Sequence, residues 1–156
     1  MSEILSLGQS FLNPLTAREV GEIGENLAAR FLLESGYRLV LANFKAPIGR
    51  NLRGALVTGE IDLIAFDENV LCFVEVKTRS SDEFTSPIAA VDLRKQRQII
   101  RTAKVYREIF RISGIAFRYD AVSIVLGKKA RPEIALYKNF WTEDKFRKKS
   151  WVSEIW

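Results

Sequence analysis

Residues 59–81 read GEIDLIAFDENVLCFVEVKTRSS. Two apolar runs, Glu60 to Phe66 and Val70 to Arg79, flank Asp67, Glu68 and Asn69, which is the pattern of a β-hairpin. Their apolar residues fall on both faces: Ile61, Leu63 and Ala65 alternate with Ile64 and Phe66, and Cys72, Val74 and Val76 with Leu71 and Phe73. Both strands should therefore be covered on two sides. A turn about Glu68 and Asn69 sets Asp67 opposite Val70. That register carries Asp62 to a place opposite Glu75, and Glu60 to one opposite Lys77.

Glu75 and Lys77 lie two apart on one strand and so share a face. Two carboxylates and an ammonium converge at one end of an apolar hairpin. Directly opposed residues have Cβ atoms about 4.5 to 5.5 Å apart, within shared reach of one divalent cation. Burying two like charges together forces one to take up a proton unless something compensates them. A bound Mg²⁺ would do so, with two carboxylates, waters and a substrate phosphate as ligands. Its bound water would be the nucleophile for phosphodiester hydrolysis, with Lys77 positioning that water or stabilising charge on the phosphorane. The plainer alternative is a strand-end ion network in which Lys77 neutralises the acids, and a Glu60–Lys77 pair would explain both of those residues. Asp62 inside an apolar strand is harder to explain that way.

Outward from the hairpin, Thr16 to Ser35 place Val20, Ile23, Leu27, Phe31 and Leu32 at helical spacing, with Gly36 as a stop. Tyr37 to Phe44 reads as a strand, and residues 46–59, with three glycines and a proline, as a long loop inserted in the domain, either mobile or functional. After the polar turn SSDEFTSP a second helix runs from about Ile88 to Ile112. Phe117 to Leu126 and Glu133 to Phe140 are two further strands around the turn GKKARP. The aromatic and basic tail, 142–156, is either a docking helix or a loose end, and packing on the domain or on a second subunit is favoured over stacking on unpaired bases. The order describes a single α/β domain over residues 1–156, layered around a mixed sheet.

The 156 residues carry 24 lysines and arginines against 19 acids, a net charge of +5. Residues 1–76 hold 6 basic and 10 acidic side chains (net −4) and residues 77–156 hold 18 and 9 (net +9). That division suggests a cation site in one half and phosphate contacts in the other. With no histidine, imidazole bases, histidine-ligated zinc and Ser-His-Asp triads are excluded. One cysteine, Cys72, excludes internal disulfides and reads as a small buried core residue. The first residues lack the features of a signal peptide, and no apolar run approaches the ~20 residues of a membrane helix. A soluble, unprocessed, cytoplasmic protein is expected.

The stretch 59–81 resembles the signature of the PD-(D/E)XK nuclease superfamily, and more closely the YraN-like family of uncharacterised restriction-endonuclease-like proteins. The likeness extends over most of residues 19–125: GENLAARFLLESGY in the first helix, EIDLIA and FVEVKTR in the strands, a basic helix from near Lys95, and FRYDAVSI. It implies a restriction-endonuclease-like three-layer core, a mixed sheet flanked by helices in the order αβββαβ, here with an additional C-terminal strand. It also implies a metal-dependent nuclease site at Asp62, Glu75 and Lys77, with the Val76 carbonyl as a further metal ligand. A glutamate of the first helix often joins them, here Glu25. The 46–59 segment is longer than the family's usual connection, and the tail is idiosyncratic.

Glu25 lies near the start of its helix, where an acid also simply complements the macrodipole. Asp120 is expected to pair with Arg118. Lys95, Arg97, Arg101 and Lys104 can line one side of the basic helix as phosphate contacts, with a solvated face as the alternative. Arg79 is placed to meet the scissile strand. The expected activity is Mg²⁺-dependent endonucleolytic cleavage of DNA, with Mn²⁺ as a substitute and branched or single-stranded DNA among the candidate substrates. Nucleic-acid binding without cleavage on the same fold, and an interaction protein meeting an acidic partner, are the alternatives. A homodimer is left open.

Overall fold

The computed structural model describes residues 14–80, 91–127 and 131–147. Helix α1 (Ala17–Glu34) starts where a T-x-x-E sequence closes a capping box: the Glu19 N–H donates to Thr16 Oγ1, and the Thr16 N–H to Glu19 Oε2 at 2.7 Å. Gly36, at φ +90°, turns the chain out of it. Helix α2 (Leu93–Ile109) is capped by Asp92, whose side chain accepts from the Lys95 N–H. It thus starts later than the sequence suggests. Val91 belongs to the core ahead of the helix, and residues 88–90 lie outside the described ones.

The strands are β1 (Arg38–Arg50), β2 (Leu56–Asp67), β3 (Val70–Arg79), β4 (Phe117–Val125) and β5 (Glu133–Trp141), forming one sheet in that order. All neighbours are antiparallel except β3 and β4, which are parallel and joined through α2. A parallel pair needs such a crossover, because a tight turn cannot return the chain to the same end.

The two-faced apolar pattern of the central strands is met as expected. On one face Ile64, Leu71, Phe73, Tyr119 and Ala121 pack with Ile99, Ala103 and Tyr106 of α2. On the other, Leu63, Ala65, Cys72, Val74, Val76, Val122 and Ile124 pack with Ala28 and Leu32 of α1. The result is the three-layer αβββαβ order with an additional C-terminal strand.

The 46–59 segment is not a loop. Residues 46–50 continue β1 and 56–59 begin β2, with Ala46 facing Gly59 and Pro47 facing Thr58, so only Asn51–Ala55 turn. Proline and glycine signal a loop wherever ladder bonds are needed on both sides. Here β1 is an edge strand, which tolerates a missing N–H, and Gly49 sits at an irregularity in the register with φ +143°. Ala46 and Ile48 keep the alternating burial of a strand.

The first part of the tail packs on the domain. Trp141 is buried and stacks on Tyr119 with ring centroids 5.4 Å apart, the Tyr119 hydroxyl donates to Glu143, and the Arg97 guanidinium lies over the Phe146 ring. Residues 148–156 lie outside the described ones.

Candidate active site

Strands β2 and β3 pair in the expected register from Asp67↔Val70 to Leu63↔Val74. Beyond that point a side chain takes over from the ladder: the Val76 N–H donates to Asp62 Oδ2 at 2.8 Å. Glu75, next along β3, is 2% exposed and Asp62 8% exposed. The Glu75 Oε1 atom lies 3.1 Å from Lys77 Nζ and 3.5 Å from Lys95 Nζ. Its other oxygen, Oε2, is buried and meets no N–H or hydroxyl donor, while the Asp62 carboxyl stands within hydrogen-bonding reach of the Glu75 side chain. A bare buried carboxylate oxygen is costly, and it calls for a donor, a water or a cation.

The electrostatics follow from this crowding. Burial, and then the charge of Asp62, push Glu75 up to about 7, against the pull of Lys95 and Lys77. Burial also raises Asp62, opposed by the Val76 N–H and Lys95. Glu25, half-buried on α1, is raised by burial and then by the charges of Asp62 and Glu60, while a hydrogen bond with the Asn43 side chain works the other way. Glu25 thus faces the pair at Coulombic range. Among the described residues no three acidic side chains close on one point as a metal-holding group. Two carboxylates, of which Glu75 keeps Oε2 without a donor, still suit a hard cation that keeps several waters, and Glu25 stands where it could act through one of them.

The sheet and α1 fix this arrangement. Gly24 lets the helix settle on β3, because a Cβ there would overlap Thr78 Oγ1. That contact places the next residue, Glu25, over the strand carrying Glu75 and Lys77. Val76 enters through its N–H, and its side chain is buried toward α1.

The basic residues divide. Lys95 reaches the site, whereas Arg97, Arg101 and Lys104 do not join it and do not share one side with it. At 100° per residue, Lys95 falls with the buried face of Ile99, Thr102 and Tyr106, and the other three fall on the exposed face. Arg97 covers Phe146, Arg101 lies against Gly49, and Lys104 sits 3.9 Å from Glu108. Arg79 closes β3 opposite Val125, with its carbonyl accepting from Leu126. The Glu60–Lys77 pairing is not formed: Glu60 pairs with Lys45 of β1 at 3.6 Å, because β2 has left β3 by that point.

Asp120 is fully buried and pairs with Arg118 at 2.9 Å, as expected, in a cluster that also ties Asp67 and Lys138 at the opposite end of the strands. Cys72 lies in the core there, its thiol pushed up to about 12 by burial, so it is no nucleophile.

The sequence puts Lys95 on phosphate, and it sits beside Glu75 instead; Asn43 escapes the sequence reading altogether. Lys95 has a faint signal, since a cation in a helix's first turn opposes the macrodipole and implies a carboxylate nearby. Asn43 has none. It stands in β1 at φ +53°, between the pairs Ala42↔Leu63 and Phe44↔Ile61.

The raised Glu75 makes a prediction. A carboxyl whose folded pKa exceeds its unfolded value stabilises the fold below about 4.5, and that stabilisation is lost as pH rises through about 7. Without metal, wild type should gain up to about 3 kcal/mol between pH 8 and 5 from this group. Glu75→Gln should flatten that rise in thermal denaturation, and an unchanged slope would contradict the assignment.

Fold and site together define an α/β protein with a buried carboxylate pair, flanked by two lysines, where two central strands part. The chain belongs to the family described as "Uncharacterised protein family UPF0102", whose model matches residues 24–124 and which is the family of the YraN-like resemblance. It is 42% identical to a UPF0102 protein of Symbiobacterium thermophilum over 79% of this chain and 96% of that one. To those of Acetivibrio thermocellus and Caldanaerobacter subterraneus it is 39% and 37% identical, over 81% and 74% of this chain and 94% and 86% of theirs. The solved structure of SSO0001 is 14% identical with a TM-score of 0.38, over 92% of this chain and 62% of that one. Among the described residues no helix is long and apolar enough to cross a membrane.

Proposed function

We propose that this protein is a Mg²⁺-dependent endonuclease that hydrolyses DNA phosphodiester bonds. The observation that carries the reading is the bare, buried Oε2 of Glu75 beside Asp62. Asp62 and Glu75 would hold the cation, with the Val76 carbonyl as a further ligand and Glu25 acting through water. The ion would supply Lewis acidity at the phosphate and a more acidic water. Lys77, whose side chain is about a third exposed, is free to aim its ammonium at the attacking water or at a non-bridging oxygen. Lys95 restrains Glu75 from the other side and keeps the charge of the pair in check. The excess of positive charge after residue 77 would attract the polyanion.

Calorimetric titration with Mg²⁺ and Mn²⁺, followed by a cleavage panel of duplex, single-stranded, flapped and four-way DNA, tests the reading. Wild type should bind metal and cleave at least one substrate, and Glu75→Ala should do neither. Metal binding by neither protein would end the proposal. A second reading, DNA binding without cleavage, is favoured by the two lysines that already converge on Glu75 Oε1. It predicts salt-sensitive binding with no product under any divalent metal.

A further inference from the structure

The β1–β2 pairing continues well past the last β2–β3 pair at Leu63. From Asp62 to Leu56, β2 is partnered by β1 alone on its ladder, forming a two-stranded arm that starts at the carboxylate pair. Helix α2 braces it along its length: at mid-arm Gly59 packs so closely that a Cβ would overlap Thr102 Oγ1, and nearer the tip the Arg101 guanidinium lies against Gly49. Its tip is held in shape from within. Asn51 Oδ1 accepts from the N–H groups of Arg53 and Ala55 at 3.0 Å, and the Arg50 guanidinium donates to the Gly54 carbonyl at 2.7 Å.

This preformed turn presents Leu52 fully exposed at its apex. No acidic residue occurs between Arg50 and Gly59, while Arg50, Arg53 and the adjacent Arg101 place three guanidiniums about the tip. An isolated apolar apex has nothing to cover in its own domain, and ringed by arginines it matches a surface that is anionic outside and apolar within. A nucleic-acid groove is such a surface, since phosphates rim it and base edges floor it. A two-stranded ribbon also has the width to enter one.

We infer that the arm is a duplex-contacting element, with Arg53 on a phosphate and Leu52 against base edges in a groove. The inference rests on the reading of the chain as a DNA enzyme for its ligand class, but not on cleavage. Leu56 lies six residue steps from Asp62, about 20 Å of strand. At about 3.4 Å per base pair the tip reaches duplex some six base pairs from the phosphate held at the carboxylates.

The experiment is fluorescence anisotropy in EDTA with a labelled 20-base-pair duplex, a 6-base-pair duplex and a 20-nucleotide single strand. Leu52→Asp should weaken binding to the 20-base-pair duplex about ten-fold, with little change for the single strand or the short duplex. Arg53→Ala should lower the salt slope by about one. Both positions are exposed, so melting temperatures should match wild type. Wild-type affinity for the long duplex in both variants would overturn the inference. So would an equal loss on single strands, or Leu52-dependent flotation with phosphatidylglycerol vesicles in place of duplex binding. Loss of cleavage in Glu75→Ala with Leu52-dependent duplex binding intact supports the arm. Leu52-dependent duplex binding in a wild type that never cleaves supports it too, and removes only the nuclease reading.

Discussion

Asp62→Asn is expected to reduce metal-dependent cleavage by at least about 100-fold while leaving the fold intact. On the proposed reading the carboxylate has two tasks: its charge would answer the cation, and its Oδ2 accepts the Val76 N–H at 2.8 Å. Asparagine keeps an acceptor for that amide and loses the charge. The missing ligand removes transition-state stabilisation worth several kcal/mol, which sets the size of the loss. Asp62→Ala should lose activity to the same degree and also strand a buried amide, at a further cost of about 1–3 kcal/mol in stability. Cleavage rates and urea unfolding of both variants separate the two tasks. An asparagine variant that cleaves as fast as wild type would remove Asp62 from metal binding altogether.

The second large effect is structural. Gly59→Ala should lower stability by about 3 kcal/mol and the melting temperature by roughly 10 °C. A methyl group there would overlap Thr102 Oγ1, and Thr102 is fully buried with its hydroxyl donating to the Gln98 carbonyl at 2.7 Å. Neither backbone can move without lifting α2 from the sheet. Thr102→Ala in the same chain should restore most of the loss, with Ile48 Cγ2 at 3.0 Å accounting for the remainder. This double-mutant cycle would report no coupling if helix and strand were further apart.

The carboxylate pair was legible because a two-residue turn and strict alternation leave one register for β2 and β3. The ladder itself stops at Leu63↔Val74, so Asp62 and Glu75 are not a ladder pair and stay neighbours through the bond from the Val76 N–H to Asp62. The register fails for Glu60 and Lys77, since a side-chain bond from Asp62 replaces the ladder and lets the strands part. Residues 46–59 were misread because proline and glycine carry different meanings at a sheet edge and inside a sheet, and a single sequence does not say which strand is outermost. Grouping Lys95 with Arg97, Arg101 and Lys104 overlooked the helical angle between them. Asn43 was beyond reach, because its place depends on a left-handed backbone angle and on Glu25 from another element.

The arm meets the sheet at the carboxylates, yet its five-residue turn contributes nothing to either apolar cluster. Mutations at the tip can therefore accumulate with little penalty to folding, whereas those on β3 are constrained on both sides at once. If the arm contacts duplex as proposed, preference for one DNA shape over another can drift quickly while the buried carboxylate pair stays fixed.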